Sequence, residues 1–202
     1  MTLTLSDTTP IAKGGERFVF IHPDNPDWLI KVWHERFHKK QEKRVPIVIK
    51  FLRLKRYWSL LNELTEYLAI RECAKPNLNH IQQIVGLVDT DLGLGMIVKA
   101  VKKENGELAP TTEDLVKNAQ YTAEHDKALD EYFDWMRDTD IIIRDFNLNN
   151  LVWDELAKKF VLIDGIGSKP GFSLRSFSKA YNKKANFNRI QKFKTRMKKA
   201  LS

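Results

Sequence analysis

The chain has 202 residues, a formal net charge of +8 and 43% hydrophobic residues, which suits one domain or two small lobes that share a core. Its single cysteine, Cys73, excludes an internal disulfide and therefore a disulfide-stapled secreted scaffold. Because the sequence has neither the ~18 consecutive apolar residues of a membrane helix nor a basic and apolar leader, we expect no membrane span, no signal peptide and a cytoplasmic location.

Residues 1–101 are predicted to form a small, β-rich lobe that contains one helix. Residues 17–21 and 28–33 predict two strands, and the Pro, Asn and Asp residues between them predict a hairpin turn. Apolar residues at spacings of three and four predict a long helix that runs from Ile47 to Ala74. Two more strands are expected in the segments IVGLVDT and GLGMIVKAV, with glycine at the turn between them.

Residues 102–202 are predicted to form a mainly helical second lobe, so that the whole chain is an α+β protein. Helices are expected over 113–120 and 124–138, followed by a strand, a polar loop, a strand, a turn and a strand over 140–167. The tail beyond Ser173 predicts an amphipathic helix or two. Its apolar side is expected to carry Phe187, Ile190, Phe193, Met197 and Leu201.

The charge is divided along the chain into blocks. Residues 31–56 carry a net +8 and residues 165–202 a net +11 with no acidic residue, whereas residues 57–164 carry a net −9. Such an asymmetry can indicate an anionic partner, and it can equally arise from helices with solvated basic faces. The sequence leaves both interpretations open.

The first lobe offers parts that phosphoryl transfer from a nucleotide requires, namely a flexible glycine loop and a lysine held on the phosphates. Gly14 and Gly15 precede the first predicted strand, where they would let the backbone approach phosphate groups. Lys31 lies on the second strand of the hairpin and is the candidate phosphate-binding cation. Glu63, or Glu66 one turn later on the long helix, could pair with Lys31.

The second lobe offers the remaining parts. The segment IIIRDFNLNNLV supplies Asp145 as a base for an acceptor hydroxyl and Asn150, five residues later, as a ligand for Mg²⁺. The segment VLIDGIG supplies Asp164 at a strand end as the second Mg²⁺ ligand. Each residue alone also fits an ordinary polar loop or turn. Four required residue types in the required order favour a nucleotide-binding site.

These two segments resemble the catalytic loop and the metal-binding motif of the protein-kinase-like fold. The segments HPDNPDWLIKV, VDTDLGLGMIV, IRDFNLNN and LIDGIG and the basic, aromatic tail are similar to those of the small bacterial family called PhoP regulatory network proteins (YrbL-like). The resemblance implies a two-lobed kinase-like fold with ATP and Mg²⁺ between the lobes. It also implies transfer of the γ-phosphate to a hydroxyl of a small molecule or glycolipid.

The sequence departs from the protein-kinase pattern at several positions. Ile143 stands where a His is usual, Asn147 where a Lys is usual and Gly165 where a Phe is usual, and the glycine loop is degenerate. Only 38 residues follow Asp164, too few for a full activation segment and substrate-docking helices. These differences argue against a protein substrate. They keep a catalytically inactive, nucleotide-binding pseudokinase with a regulatory role as the alternative.

Two interpretations from other classes rank lower. The segment HERFH, from His34 to His38, matches H-E-x-x-H and with Glu63 as third ligand would make a zinc hydrolase, but it is polar and is followed by two lysines. The basic and aromatic residues of the tail could bind nucleic acid, yet the aromatics fall at helical spacing, which favours core packing. Anionic lipid headgroups would suit the same charges through peripheral contact.

Overall fold

The structure is a computed structural model that describes residues 2–14, 16–34, 57–72, 77–168 and 174–201. Several features of the sequence analysis lie outside the described residues. They are Gly15, the Glu35 and His38 of the HERFH segment, Cys73, and the part of the predicted long helix before residue 57.

The described residues form an α+β protein, as the sequence predicts. The elements in chain order are β1 (Ala12–Lys13), β2 (Arg17–His22), β3 (Asn25–Trp33), α1 (Trp58–Arg71), β4 (Ile84–Thr90), β5 (Gly93–Lys99), α2 (Thr112–Lys117), α3 (Ala123–Asp138), β6 (Leu151–Asp154), β7 (Lys159–Leu162), α4 (Leu174–Phe177) and α5 (Lys179–Leu201).

The chain divides into two compact units. The first consists of Met1–Trp58 and Gln83–Ala100, and the second of Ser59–Gln82 and Val101–Ser202. Helix α1, which the sequence analysis places in the first lobe, therefore groups with the second unit from its second residue onward.

The first unit is an antiparallel sheet of five strands in the order β1-β2-β3-β5-β4. Both predicted hairpins are present, because aromatic and β-branched residues favour the strands and turn residues separate them. Phe20, Ile30 and Ile97 come into register on neighbouring strands and pack with Leu5 in one core. Since side chains alternate along a strand, Lys31 lies on the face of β3 opposite this core.

The second unit contains α1 to α5 and the β6/β7 hairpin. Helix α3 buries Leu129, Tyr132, Phe133 and Met136, whose spacing of three and four residues places them along one side. On α5, Phe193 is fully buried, and its ring centroid lies 5.9 Å from that of Phe133. The core of this unit therefore lies between α3 and α5, as their apolar periodicity predicts.

Two expectations about local structure are wrong. The strand predicted just after Asp140 is reduced to an isolated bridge between Ile143 and Ile166. Phe187 and Leu201, expected on the apolar side of the tail, are 49% and 54% exposed. The buried side of α5 instead carries Asn182, Asn186, Ile190, Phe193 and Met197.

Helix length and hydropathy also bear on the expectation of no membrane span. None of the helices in the described ranges is both long and apolar enough to cross a membrane.

Candidate functional site

Lys31 is held in the middle of the five-stranded sheet. It pairs in register with Val19 on β2 and with Met96 on β5, and only 6% of its surface is exposed. Lysine is rarely buried to this extent without a partner for its ammonium group. Its burial distinguishes Lys31 from an ordinary strand lysine with a solvated head.

Gly14 lies at the turn that joins β1 to β2. Its amide donates a hydrogen bond of 2.9 Å to the carbonyl oxygen of Arg17. A Cβ at Gly14 would lie 3.5 Å from that oxygen, which is ordinary contact. Steric contact therefore does not require glycine at position 14, and the proposed approach of a ligand to this backbone stays a prediction from the sequence.

His34, the first residue of the HERFH segment, follows β3 directly. Its Nε2 lies 3.0 Å from the carbonyl oxygen of Gly14, and its ring packs edge-on against Phe18 at a centroid distance of 3.7 Å. Because a carbonyl can only accept, this contact makes Nε2 the protonated nitrogen. Over the ranges that the structure describes, no group of three or more His, Cys, Asp or Glu residues could hold a metal ion.

The second unit brings Asp145, Asn150 and Asp164 together through their backbones. The amides of Arg144 and Asp145 donate to the carbonyl oxygen of Gly165 at 2.6 and 3.1 Å. The amide of Ile163 donates to the carbonyl oxygen of Asn150 at 2.9 Å. The segment after β7 and the polar loop before β6 therefore lie side by side.

Gly165 is required for this close approach. Its φ of +93° is in the region that favours glycine. A Cβ at this position would lie 3.0 Å from the Cβ of Asp145 and closer still to the carbonyl oxygen of Asp145. The Asp-Gly pair of the LIDGIG segment is thus fixed by the packing of one loop on the other.

Asn147 organises the polar loop, although the sequence analysis noted it only as a departure from the kinase pattern. Its Nδ2 donates to Oδ1 of Asp145 at 2.9 Å, and its own Oδ1 accepts from the amides of Asn149 and Asn150 at 3.0 Å each. The signal that indicates this role is the Asn-x-Asn-Asn run, because an Asn side chain readily accepts from amides two and three residues later.

The side chains of Asn150 and Asp164 fit the role of cation ligands. Nδ2 of Asn150 donates to the carbonyl oxygen of Asp145 at 3.1 Å, so Oδ1 of Asn150 faces away from that carbonyl. Oδ1 of Asp164 accepts from the amide of Gly165 at 2.6 Å. One amide oxygen and one carboxylate match the way Mg²⁺ is bound beside substrate phosphates.

Helices α4 and α5 hold the backbone that leads into the polar loop. Arg175 donates through Nη1 to the carbonyl oxygen of Ile143 at 2.8 Å, and Arg189 through Nε to that of Arg144 at 3.2 Å. Further upstream, the side-chain amides of two buried residues on α5 satisfy the carbonyl oxygens of residues 136, 140 and 141; the two are Asn182 and Asn186. The basic tail thus anchors the candidate site.

The two glutamates that the sequence left as alternatives on α1 have different surroundings. Oε1 of Glu66 accepts a 2.7 Å hydrogen bond from the amide of Ile142, and burial raises the pKa of Glu66 while this bond and Arg175 act in the opposite direction. Through this hydrogen bond, Glu66 is engaged with the segment before Asp145. Glu63, one turn earlier, is 5% exposed.

Comparison with known proteins identifies a family for this chain. The model of the family described as PhoP regulatory network protein YrbL matches residues 3–200, which is almost the whole chain. No curated protein matches the chain.

Proposed function

The chain belongs to the family of PhoP regulatory network proteins, and on that premise we propose that it is a kinase-like phosphotransferase. It moves the γ-phosphate of ATP to a hydroxyl group of a small molecule or glycolipid, and its two lobes follow the protein-kinase-like fold. The observation that carries this proposal is the arrangement in which Asp145 and Asn150 pack directly on the Asp164–Gly165 turn. A base and two oxygen ligands in one loop cluster are what phosphoryl transfer requires.

In the proposed reaction, the acceptor hydroxyl oxygen forms a bond to the γ-phosphorus while the bond from that phosphorus to the β,γ-bridging oxygen breaks, and ADP leaves. The carboxylate of Asp145 orients the hydroxyl and takes its proton late in the reaction. Asn150 and Asp164 hold Mg²⁺, which supplies positive charge to the transferred phosphoryl group. Asn147 keeps the Asp145 carboxylate in place through its 2.9 Å hydrogen bond.

The first unit contributes the nucleotide-binding residues of the proposal. Lys31 binds the phosphates, and the backbone around Gly14 and Gly15 lies against them. The proposal keeps Glu63 as the carboxylate partner of this lysine; the carboxylate of Glu66 accepts from the amide of Ile142. The burial of Lys31 supports this role, since a desolvated ammonium group gains most from an anionic ligand.

The proposal predicts that Mg²⁺ and nucleotide stabilise the protein together and that two substitutions act differently. Nucleotide with Mg²⁺ at 100 times its dissociation constant should stabilise the wild type by about 2.7 kcal/mol, and Asp164→Ala should weaken Mg²⁺-nucleotide binding and so reduce the Mg²⁺-dependent part of the thermal shift. Asp145→Asn should leave nucleotide binding intact, because its amide oxygen can still accept from Asn147. Its turnover should fall by ~10²–10⁴, or about 3–5 kcal/mol of barrier.

Glu131→Ala, which removes an exposed carboxylate from α3, is the matched control and should change neither the thermal shift nor the turnover. Undiminished turnover in Asp145→Asn would contradict the assignment of the base, and the absence of any nucleotide-induced shift would contradict the site. A wild type that binds Mg²⁺-nucleotide but transfers phosphate to none of the acceptors tried would instead favour the pseudokinase alternative. In that case, Ile143 and Asn147 would be the residues to examine first.

A further inference from the structure

Three arginines surround the backbone next to Asp145. Arg144 directly precedes it, while Arg175 and Arg189 donate to the carbonyl oxygens of Ile143 and Arg144 at 2.8 and 3.2 Å. The two outer arginines come from α4 and α5, the part of the chain that contains no acidic residue. Positive charge is therefore concentrated next to the backbone that leads into the proposed base.

These guanidinium groups form no direct ion pair within the described residues, although the charge of Glu66 acts on Arg175 and that of Asp145 acts on Arg189. In the part of the chain that the structure describes, no carboxylate oxygen lies within 4.0 Å of any of the three guanidinium groups. Arg175 instead donates to neutral acceptors, the side-chain oxygens of Asn182 and Asn186 and one carbonyl. Burial and the charge of Arg189 lower the pKa of Arg175 to about 10. An anion bound near Arg189 would offset this repulsion between the two arginines.

Arg189 and Arg144 still have donors to offer. Arg189 uses Nε for the carbonyl oxygen of Arg144 and Nη1 for that of Ala185, at 3.2 and 3.1 Å. Its Nη2, and the whole guanidinium group of Arg144, make no hydrogen bond to any residue within the described ranges. Both residues are half-buried, and their unused donors reach solvent, where a bound anion could contact them.

We propose that Arg144 and Arg189 form an anion-recognition position beside Asp145, so that the acceptor of the reaction carries a phosphate or carboxylate group close to its reactive hydroxyl. This inference rests on the proposed function and specifies its substrate class. Arginine donors suit such anions because two N–H groups can bind two oxygens of one group. With its anionic group held there, the acceptor hydroxyl is oriented toward the carboxylate of Asp145. Arg175, whose three nitrogens all donate hydrogen bonds to other groups, supports the position without binding the anion.

The test measures binding of glycerol 3-phosphate, a soluble probe that carries a phosphate group and hydroxyls. It is titrated calorimetrically into protein saturated with Mg²⁺ and a non-hydrolysable ATP analogue, so that the probe does not enter the nucleotide site. Arg189→Gln should weaken probe binding by roughly tenfold or more, as expected for the loss of a charged hydrogen-bond donor. Arg196→Gln, on the exposed side of the same helix, should leave it unchanged.

A second variant and a second readout separate recognition from folding. Arg189→Lys keeps the positive charge but loses the planar guanidinium group with its paired N–H donors. Arg144→Gln removes the second guanidinium group and leaves in place the backbone carbonyl oxygen of residue 144 that accepts from Arg189. Both should weaken probe binding. Arg144→Gln should leave the unfolding midpoint and the affinity for the ATP analogue at wild-type values, whereas Arg189→Lys should also lower the midpoint slightly, because it loses the Nε hydrogen bond to the carbonyl oxygen of Arg144. Equal losses in Arg189→Gln and Arg196→Gln, or no probe binding by the wild type, would overturn the inference.

The titration is repeated without nucleotide, so that it can be interpreted even if the chain binds no nucleotide. A parallel series with phosphatidylcholine vesicles, with and without phosphatidylglycerol, distinguishes a lipid headgroup from a soluble phosphate as the source of the anion. Binding that requires both phosphatidylglycerol and Arg189 supports a lipid-borne acceptor, whereas binding of glycerol 3-phosphate alone supports a soluble one. Vesicle binding unaffected by Arg189→Gln, together with no probe binding, overturns the inference and leaves the nucleotide site untouched.

Discussion

The loop cluster depends on Gly165 because no side chain fits at that position. Of the glycines with positive φ in the second unit, Gly165 has φ +93° and faces Asp145, whereas Gly106 has φ +84° and open space around it. The two glycines therefore share a backbone conformation that disfavours a residue with a Cβ, but they differ in packing. This difference allows the contribution of the Asp145 contact to be measured separately.

We expect Gly106→Ala to lower the free energy of unfolding by about 1–2 kcal/mol, the usual cost of a left-handed residue with a Cβ. Gly165→Ala should cost clearly more, because its Cβ would overlap the carbonyl oxygen of Asp145 and push the two loops apart. Urea unfolding of both variants measures the difference. Similar losses for the two variants would mean that the loops separate without cost, and the proposed site would then lack the rigidity that it needs.

At the scale of the element, α5 shows what the sequence predicts and what it does not. The spacing of Ile190, Phe193 and Met197 predicts a buried stripe, and the structure confirms it. The same stripe continues through Asn186 and Asn182, which are 0% and 1% exposed. Because Asn usually faces solvent, the pattern alone favoured Phe187 for the core. The two asparagines are buried instead because their side-chain amides donate to backbone carbonyl oxygens before Asp145.

In the sheet and the polar loop too, some features were predictable from the sequence and others were not. Alternating apolar residues and turn residues are local signals, so both hairpins of the first unit were predictable. The order of Asp145, Asn150 and Asp164 also indicated a common site, and these three residues do lie together. The contacts of Asn147 and Arg189 depend on side-chain hydrogen bonds between distant or irregular segments, for which periodicity gives no signal.

The contrast on α5 gives a matched pair of substitutions. Phe193 is fully buried and stacks on Phe146 with ring centroids 4.4 Å apart, whereas Phe187 is 49% exposed. Phe193→Ala should therefore cost about 3–5 kcal/mol, and Phe187→Ala should stay within ~0.5 kcal/mol of the wild type. Thermal unfolding followed by circular dichroism checks both values. A large loss in Phe187→Ala alone would reverse the assignment of the buried side.

At the scale of the whole molecule, the basic C-terminal block has two parts with different roles. Arg175 and Arg189 face inward and hold the backbone before Asp145. Exposed lysines cover the outer side of α5, including Lys183, Lys184, Lys198 and Lys199. For this block, the sequence is compatible with a solvated basic face and with an anionic partner. In the structure, the inner part supports the candidate site, and the lysines of the outer part are exposed.

The outer part can be tested without disturbing the inner one. Replacing Lys183, Lys184, Lys198 and Lys199 by Gln lowers the net charge from +8 to +4, and all four positions are exposed. Stability should be unchanged or slightly higher, because a strongly charged chain repels itself and surface changes of this kind cost little. Retention on heparin should weaken, since it depends on exposed positive charge and is screened by salt.

Replacing the same four lysines by Arg keeps the charge and is the control, which should be retained on heparin like the wild type. Binding of glycerol 3-phosphate should survive in both variants, because Arg144 and Arg189 are unchanged. If the Gln variant lost binding of glycerol 3-phosphate together with heparin retention, the preference for anions would come from the overall positive charge of α5. The specific position beside Asp145 would then have no separate role, because long-range attraction would account for the binding.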